Sequence, residues 1–275
     1  MLNLNKPIII VGSGNSVPFL NSRHFSNGFK RGIEPKLEYL IKGNYSIGLN
    51  HFFAYGECTF TSFVDPAFYE DNYDKLKREA LIIGHKDPSL QRHKYDITHP
   101  NTILLKSTNG YKGIHSFSEG FYSRQLVGIW VLTLAIALGF KEIYLLGYDC
   151  KEINGRTHFY QGVVDLNEKR DLMVLDKKVG ETFIYRGVGK KPEDKKGTYN
   201  TSTYDRPKNL NNQWFKPFLK EKDIKIYNVS PDSAIELFEK ITYEEFYSKV
   251  PNNHIVQSEA RETIRQIIYK KLEMK

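Results

Sequence analysis

The stretch from Gln125 to Gly162, QLVGIWVLTLAIALGFKEIYLLGYDCKEINGRTHFYQG, constrains this chain more than any other. From Leu126 to Leu138 nearly every residue is apolar, so a helix here has no polar face and must be covered on several sides. Gly139 ends it, because glycine takes the left-handed conformation of a helix terminus without a Cβ penalty. Lys141 and Glu142 then mark a surface turn, and Ile143 to Gly147 is short, continuously apolar and partly β-branched, the pattern of a parallel strand covered on both faces. Ligands of open parallel sheets bind outside the carboxyl ends of the strands. That end here carries Tyr148, Asp149, Asn154, Gly155, Thr157 and His158.

Other segments repeat the pattern of a strand ending in small or polar residues. Pro7 to Val17, PIIIVGSGNSV, runs from an apolar strand into a glycine-rich turn. With a helix N-terminus behind it, such a turn offers backbone N–H groups to phosphate or ribose oxygens. GSGNS lacks both the third glycine of the dinucleotide fingerprint and the lysine of a P-loop, and a tight turn explains Gly12 and Gly14 equally well. Ser46 to Asn50 and Phe60 to Pro66 read as two more strands, ending at Asn50 and Asp65. Laid side by side in parallel, these strands gather Gly12, Ser13, Gly14, Asn15, Asn50 and Asp65 along one edge with the Asp149 loop. Shorter strands are expected at Leu81 to Ile83, Ile103 to Lys106 and Ile224 to Pro231, and a charged helix over Tyr69 to Ala80. Leu210 to Leu219 reads as helical, and Phe238, Ile241 and Phe246 suggest a short helix and a docking segment. Glu259 to Leu272 sets Ile264, Ile267, Ile268 and Leu272 against basic residues, giving an amphipathic terminal helix.

These readings define an α/β fold: a Rossmann-like, mostly parallel sheet with helices on both faces and a small lid or insert subdomain. At 275 residues the expected division is a nucleotide-binding core over 1–162, a polar, lysine-rich insert over 163–208, and a strand and helices over 209–275 that complete the core. The apolar run is too short to cross a bilayer, and no signal peptide is read at the N-terminus. Two cysteines, Cys58 and Cys150, build neither a disulfide framework nor a thiolate metal site, so a reducing cytoplasm is expected. His85, His93 and His99 show no ligand spacing. The net charge of +8 implies attraction to an anion. The densest positive stretch, Arg186 to Lys196, contains Glu193 and Asp194 and little aromatic interleaving, so no nucleic-acid partner is expected.

The segment Leu134 to Asp149, LAIALGFKEIYLLGYD, resembles that of the bacterial sialyltransferases of glycosyltransferase family 42, and similar segments occur in motility accessory factors and archaeal-type 6-hydroxymethylpterin diphosphokinases. GSGNS, Asn50, FVDP and IYNVSP follow in the same order. The resemblance implies a nucleotide at the sheet edge, in the sialyltransferases CMP joined to a nonulosonic acid, and nucleotide contacts from Gly12, Ser13, Gly14, Asn15, Asn50, Asp65, Gly128 and Asp149. Only Asn50 among Ser13, Asn50 and Asp65 keeps the asparagine of that family. Leu126 and Val127 stand where its Thr-Ser pair precedes a glycine. Lys151 and His158 fall near the two tyrosines that hold the leaving phosphate there. The family's general-base histidine has no counterpart between His158 and His254: either His158 serves in catalysis, or the base is another residue such as Tyr199, or the chain is not a sialyltransferase.

The implied function is a metal-independent transfer of a sugar, sialic acid or another nonulosonate, from a CMP-activated donor to a hydroxyl acceptor, with no cofactor. Two alternatives stay open. One is a diphosphokinase using ATP and Mg²⁺, with Asp65 and Asp149 as metal ligands. The NGRTH pattern at Asn154 to His158 resembles that branch and the motility factors more closely. The other is a nucleotide-binding module without catalysis. The resemblance further implies a homo-oligomer and peripheral contact with the inner membrane surface, for which Arg261, Arg265, Lys270 and Lys271 of the terminal helix are the candidates.

Overall fold

The computed structural model describes residues 6–21, 31–64, 68, 72, 76, 79–85, 101–108, 117–122, 126–151, 173–179, 182–187, 197–199, 218 and 223–273. Fifteen strands are described: β1 (Ile8–Val11), β2 (Phe19–Asn21), β3 (Arg31–Ile33), β4 (Tyr45–Leu49), β5 (Phe60–Phe63), β6 (Ile82–His85), β7 (Thr102–Leu105), β8 (Ser107–Thr108), β9 (Phe121–Tyr122), β10 (Glu142–Leu146), β11 (Met173–Val179), β12 (Thr182–Gly187), β13 (Gly197–Tyr199), β14 (Lys225–Asn228) and β15 (Glu239–Lys240). Helices span Pro35–Gly43, Val127–Leu138, Tyr243–Lys249 and Gln257–Glu273.

Eight strands form one sheet in the order β15-β14-β10-β1-β4-β5-β6-β7, and every pairing in it is parallel. This is the α/β architecture expected from the sequence. The order runs from β1 out to β7, then returns across β1 to β10. The seam between β1 and β10 is therefore the topological switch point of the sheet.

Alternation along the strands divides the core in two, since successive side chains point to opposite faces. Ile8, Ile10, Ile47, Leu49, Ile143 and Leu145 pack on one face with the Val127–Leu138 helix and with Ile264 and Ile268 of the terminal helix. Ile9, Val11, Tyr144 and Leu146 pack on the other with Leu37, Leu40, Ile41 and Phe246. In the Val127–Leu138 helix every residue from Ile129 onward is buried, as its unbroken apolar sequence requires. Gly139 ends it with φ 106°, and the Gly139 and Phe140 N–H groups donate to Ile136 and Ala135. The terminal helix closes the same end: Lys271 Nζ donates to the Ala137 carbonyl at 2.8 Å, a favourable place for a cation at a helix C-terminus.

Several details differ from the sequence reading. The glycine turn after β1 does not lead into a helix. Pro18 disfavours helical geometry at Val17, and the chain continues into β2, which pairs antiparallel with β3. The Pro35–Gly43 helix follows, with its proline in the first turn, where the missing N–H costs nothing. Near the C-terminus the short helix covers Tyr243–Lys249, held by a capping box between Thr242 and Glu245, while Glu239–Lys240 form an edge strand on β14. The described part of the expected insert is a separate three-stranded antiparallel sheet, β11-β12-β13. Of Tyr69 to Ala80, Asn72 and Leu76 are helical positions; Leu210 to Leu219 lies outside the described residues apart from Phe218.

Among the described residues no helix is long and apolar enough to cross a membrane. The basic residues of the terminal helix are largely engaged within the chain. Arg261 donates to Glu57 at 2.7 Å and to the Thr59 and Cys58 carbonyls at 3.0 Å, and Arg265 Nε lies 3.7 Å from Glu262.

Candidate functional site

The carboxyl edge of the sheet carries four described loops side by side: Ser230–Ser233 after β14, Tyr148–Lys151 after β10, Gly12–Val17 after β1, and the Asn50–Ala54 turn after β4. Neighbouring strands lie about 5 Å apart, so these loops form one continuous rim.

At the switch point the rim is closed. Gly12 N–H donates to the Leu146 carbonyl at 2.7 Å and Gly14 N–H to the Gly147 carbonyl at 2.9 Å, which extends the sheet pairing beyond the ends of both strands. The approach leaves no room for side chains. A Cβ on Gly12 would stand 2.8 Å from the Gly147 oxygen, and one on Gly14 would collide with that oxygen and with the Asp149 carboxylate. Gly147 adopts φ 67°, a left-handed geometry open to glycine.

Asp149 is 1% exposed. Its Oδ2 accepts from Ser16 N–H at 2.8 Å, and its Oδ1 accepts from the Ser230 hydroxyl at 2.8 Å and from the Ser16 hydroxyl. Val17 N–H donates to the Gly14 carbonyl. The amides of Gly12, Gly14, Ser16 and Val17 are thus bound within the protein. With no helix behind the turn, the expected phosphate cradle lacks those four donors. Ser13 and Asn15, both half-buried, form the crest of the turn.

The neighbouring turn is built differently. Asn50 has φ 48°, a left-handed conformation that asparagine tolerates better than most non-glycine residues. Its side-chain oxygen is buried and has no hydrogen-bond partner among the described residues. His51 beside it packs edge-on against Phe68, with ring centroids 4.9 Å apart.

Gly128 lies in the first turn of the buried helix, against the Tyr148 ring. The Tyr148 hydroxyl donates to the Gly128 carbonyl at 3.1 Å, and a Cβ at Gly128 would come within 3.0 Å of that ring. Burial pushes the Tyr148 phenol well above its usual range. Cys150 has φ 49°. Burial, and then the adjacent Asp149 charge, push its thiol up to about 12, so it stays a thiol at neutral pH. Lys151 follows at the rim, half-buried.

The structure therefore gathers Gly12, Ser13, Gly14, Asn15, Asn50, Gly128, Asp149 and Lys151 at or beside one edge. Asp65 and His158 lie outside the described residues. Tyr199 is the last residue of β13, in the separate sheet. For the Mg²⁺ alternative, both Asp149 oxygens already accept hydrogen bonds, and no group of three or more His, Cys, Asp or Glu is placed to hold a metal ion among the described residues. The described residues do not fit a Mg²⁺ cradle. Sequence reasoning assigned no role to Ser16, Ser230 or Gly147. The available signal was a small residue near a predicted strand end: Gly147 closes one strand, Ser230 falls at the end of another, and Ser16 lies in the glycine turn after the first.

No protein-family model matches the chain, and no curated protein matches it. Among solved structures it is similar to a MAf glycosyltransferase from Magnetospirillum magneticum AMB-1, with a TM-score of 0.51 and 14% identity over 98% of this chain. This chain spans 40% of the length of that protein. It also aligns with the sialyltransferase CstII from Campylobacter jejuni, solved in complex with a substrate analogue, cytidine-5'-monophosphate, at a TM-score of 0.34 and 16% identity over 85% of this chain and 84% of that one. The likeness to the MAf glycosyltransferase is one of fold.

Proposed function

We propose that this protein is a glycosyltransferase that moves a sugar, of the nonulosonate class, from a CMP-activated donor to a hydroxyl acceptor. The observation that carries the reading is Asn50. A buried amide oxygen without a partner costs about 1–3 kcal/mol, and at the carboxyl edge of a parallel sheet a ligand is the partner that would recover it. An acceptor in that position suits the exocyclic amine of cytosine. The fold shared with a MAf glycosyltransferase supports the reaction class.

Ser13 and Asn15 on the adjacent crest would contact the ribose. Lys151 and His158 would neutralise the departing phosphate as the bond from the anomeric carbon to the phosphate oxygen breaks. The acceptor oxygen forms the new bond and yields its proton to a base, His158 or Tyr199.

Thermal-shift screening of CMP, CDP, UDP, GDP, ATP and their sugars tests the reading. A nucleotide at 100 times its Kd stabilises the native state by about 2.7 kcal/mol, so a shift of several degrees with CMP or its sugars is expected, and it should fall to about half in Asn50→Ala. No shift with any nucleotide sinks the proposal. Full turnover by His158→Ala removes that residue from the mechanism.

A further inference from the structure

We infer that Asp149 is a positioning residue: it clasps the glycine turn to the β14 loop and so sets the shape of the Ser13–Asn15 crest without touching the nucleotide. Its side chain is enclosed. One oxygen receives the Ser16 amide, and the other receives the hydroxyls of Ser16 and Ser230. Its backbone is held as firmly, because the Asp149 carbonyl accepts from Ala234 N–H at 2.8 Å and from the Ser233 hydroxyl at 3.3 Å. The Ser233 hydroxyl also bonds the Tyr148 carbonyl at 2.7 Å and receives Ile235 N–H at 3.0 Å.

Ser230 is 1% exposed and Ser233 3%, so neither can reach a ligand from the described position. Any influence they have on binding passes through Asp149. Hydrogen bonds to a carboxylate are roughly twice as strong as neutral ones. The carboxylate also fills the space that any side chain on Gly14 would need. The turn between these contacts is therefore set by a loop two strands away, across β10. The contribution of the crest to nucleotide binding rests on the function proposed above, whereas the clasp itself does not.

The test is Ser230→Ala in the full chain, read first by amide hydrogen exchange. Loss of one bond to the carboxylate is expected to speed exchange at Gly14 and Ser16 about tenfold, with Ile9 and Ile10 of β1 unchanged. Asp149→Asn should have a larger effect, because an amide cannot offer acceptors to both the Ser16 amide and the two hydroxyls. The second reading is affinity for CMP. About tenfold weaker binding in Ser230→Ala is expected, with KM for the donor raised in proportion and kcat within threefold. Unchanged exchange at Gly14 and Ser16 overturns the clasp. Faster exchange with unaltered CMP affinity overturns its positioning role. If wild-type protein binds none of the nucleotides screened, the proposed function fails, while the exchange data still decide the clasp. Should Asp149→Asn fail to fold, Ser230→Ala carries the test.

Discussion

The β1/β10 seam and the turn after β4 stand side by side on one rim and are built on opposite principles. In the seam the amides of Gly12, Gly14, Ser16 and Val17, both Asp149 oxygens and the hydroxyls of Ser16 and Ser230 are all engaged within the protein. In the Asn50 turn a buried oxygen on a left-handed backbone has no partner among the described residues. A turn whose polar groups are held in this way has little to gain from a ligand at those groups. One with an orphaned acceptor is stabilised by the partner it lacks. The switch point, where ligand binding in such sheets is usually sought, is here a brace, and the buried acceptor without a partner among the described residues lies one strand away, on the turn after β4.

That contrast can be broken or sharpened in four ways. The largest effect concerns the seam's chemical closure. With its thiol pushed up to about 12, Cys150 should carry about three orders of magnitude less thiolate at pH 8 than an ordinary cysteine. Native-state alkylation by iodoacetamide, followed by mass spectrometry, should be correspondingly slow, and labelling as fast as a free thiol would show an open seam. Next is Gly14→Ala. Its Cβ meets backbone and a buried carboxylate rather than a flexible side chain, so a loss of about 3 kcal/mol or more is expected in urea denaturation.

Asn50→Gly should separate stability from binding. Glycine accepts the positive φ and removes the orphaned oxygen, so stability should hold or rise by about 1 kcal/mol, while CMP affinity measured by calorimetry falls about tenfold. A loss of stability without a loss of affinity would make Asn50 a structural residue.

The smallest effect is a control away from both loops. Burial raises the pKa of Glu79 above 4.5, outweighing the Thr61 hydroxyl bond that lowers it. A carboxyl with a raised folded pKa favours folding most below its unfolded pKa, and that contribution is lost as pH rises through the folded value. Glu79→Gln should therefore flatten the fall in stability above about pH 4.5 and leave the protein slightly more stable at neutral pH, without altering nucleotide binding. Thermal melts across pH 4 to 8 would check this.

The parts of the fold that were legible in the sequence are those governed by local pattern. The Val127–Leu138 helix, its Gly139 stop and β10 follow from apolar content and one glycine. The parallel strands ending in small or polar residues foretold the rim. The purpose of Gly12 and Gly14 was not legible, because what excludes their side chains is Gly147 and Asp149, far along the chain. The serines were missed for the same reason: Ser16 and Ser230 acquire a function only when folding brings one carboxylate to both. The Pro35–Gly43 helix carries a local signal of its own, a proline in its first turn. Asn50 was placed at the edge by its strand, but only the structure exposes its unpaired oxygen.

The position of β1 has a consequence for how the protein is made. Among the described strands of the sheet it leaves the ribosome first, yet Ile8 to Val11 pair with Ile143 to Leu146 on one side and with Tyr45 to Gly48 on the other. Half of its ladder waits until β10 has been synthesised, so the earliest strand is among the last to be completed. Pairings this distant in sequence slow folding and leave an apolar edge open in the meantime. The nascent chain should accordingly depend on protection from aggregation until the Glu142–Leu146 strand emerges to cover that edge.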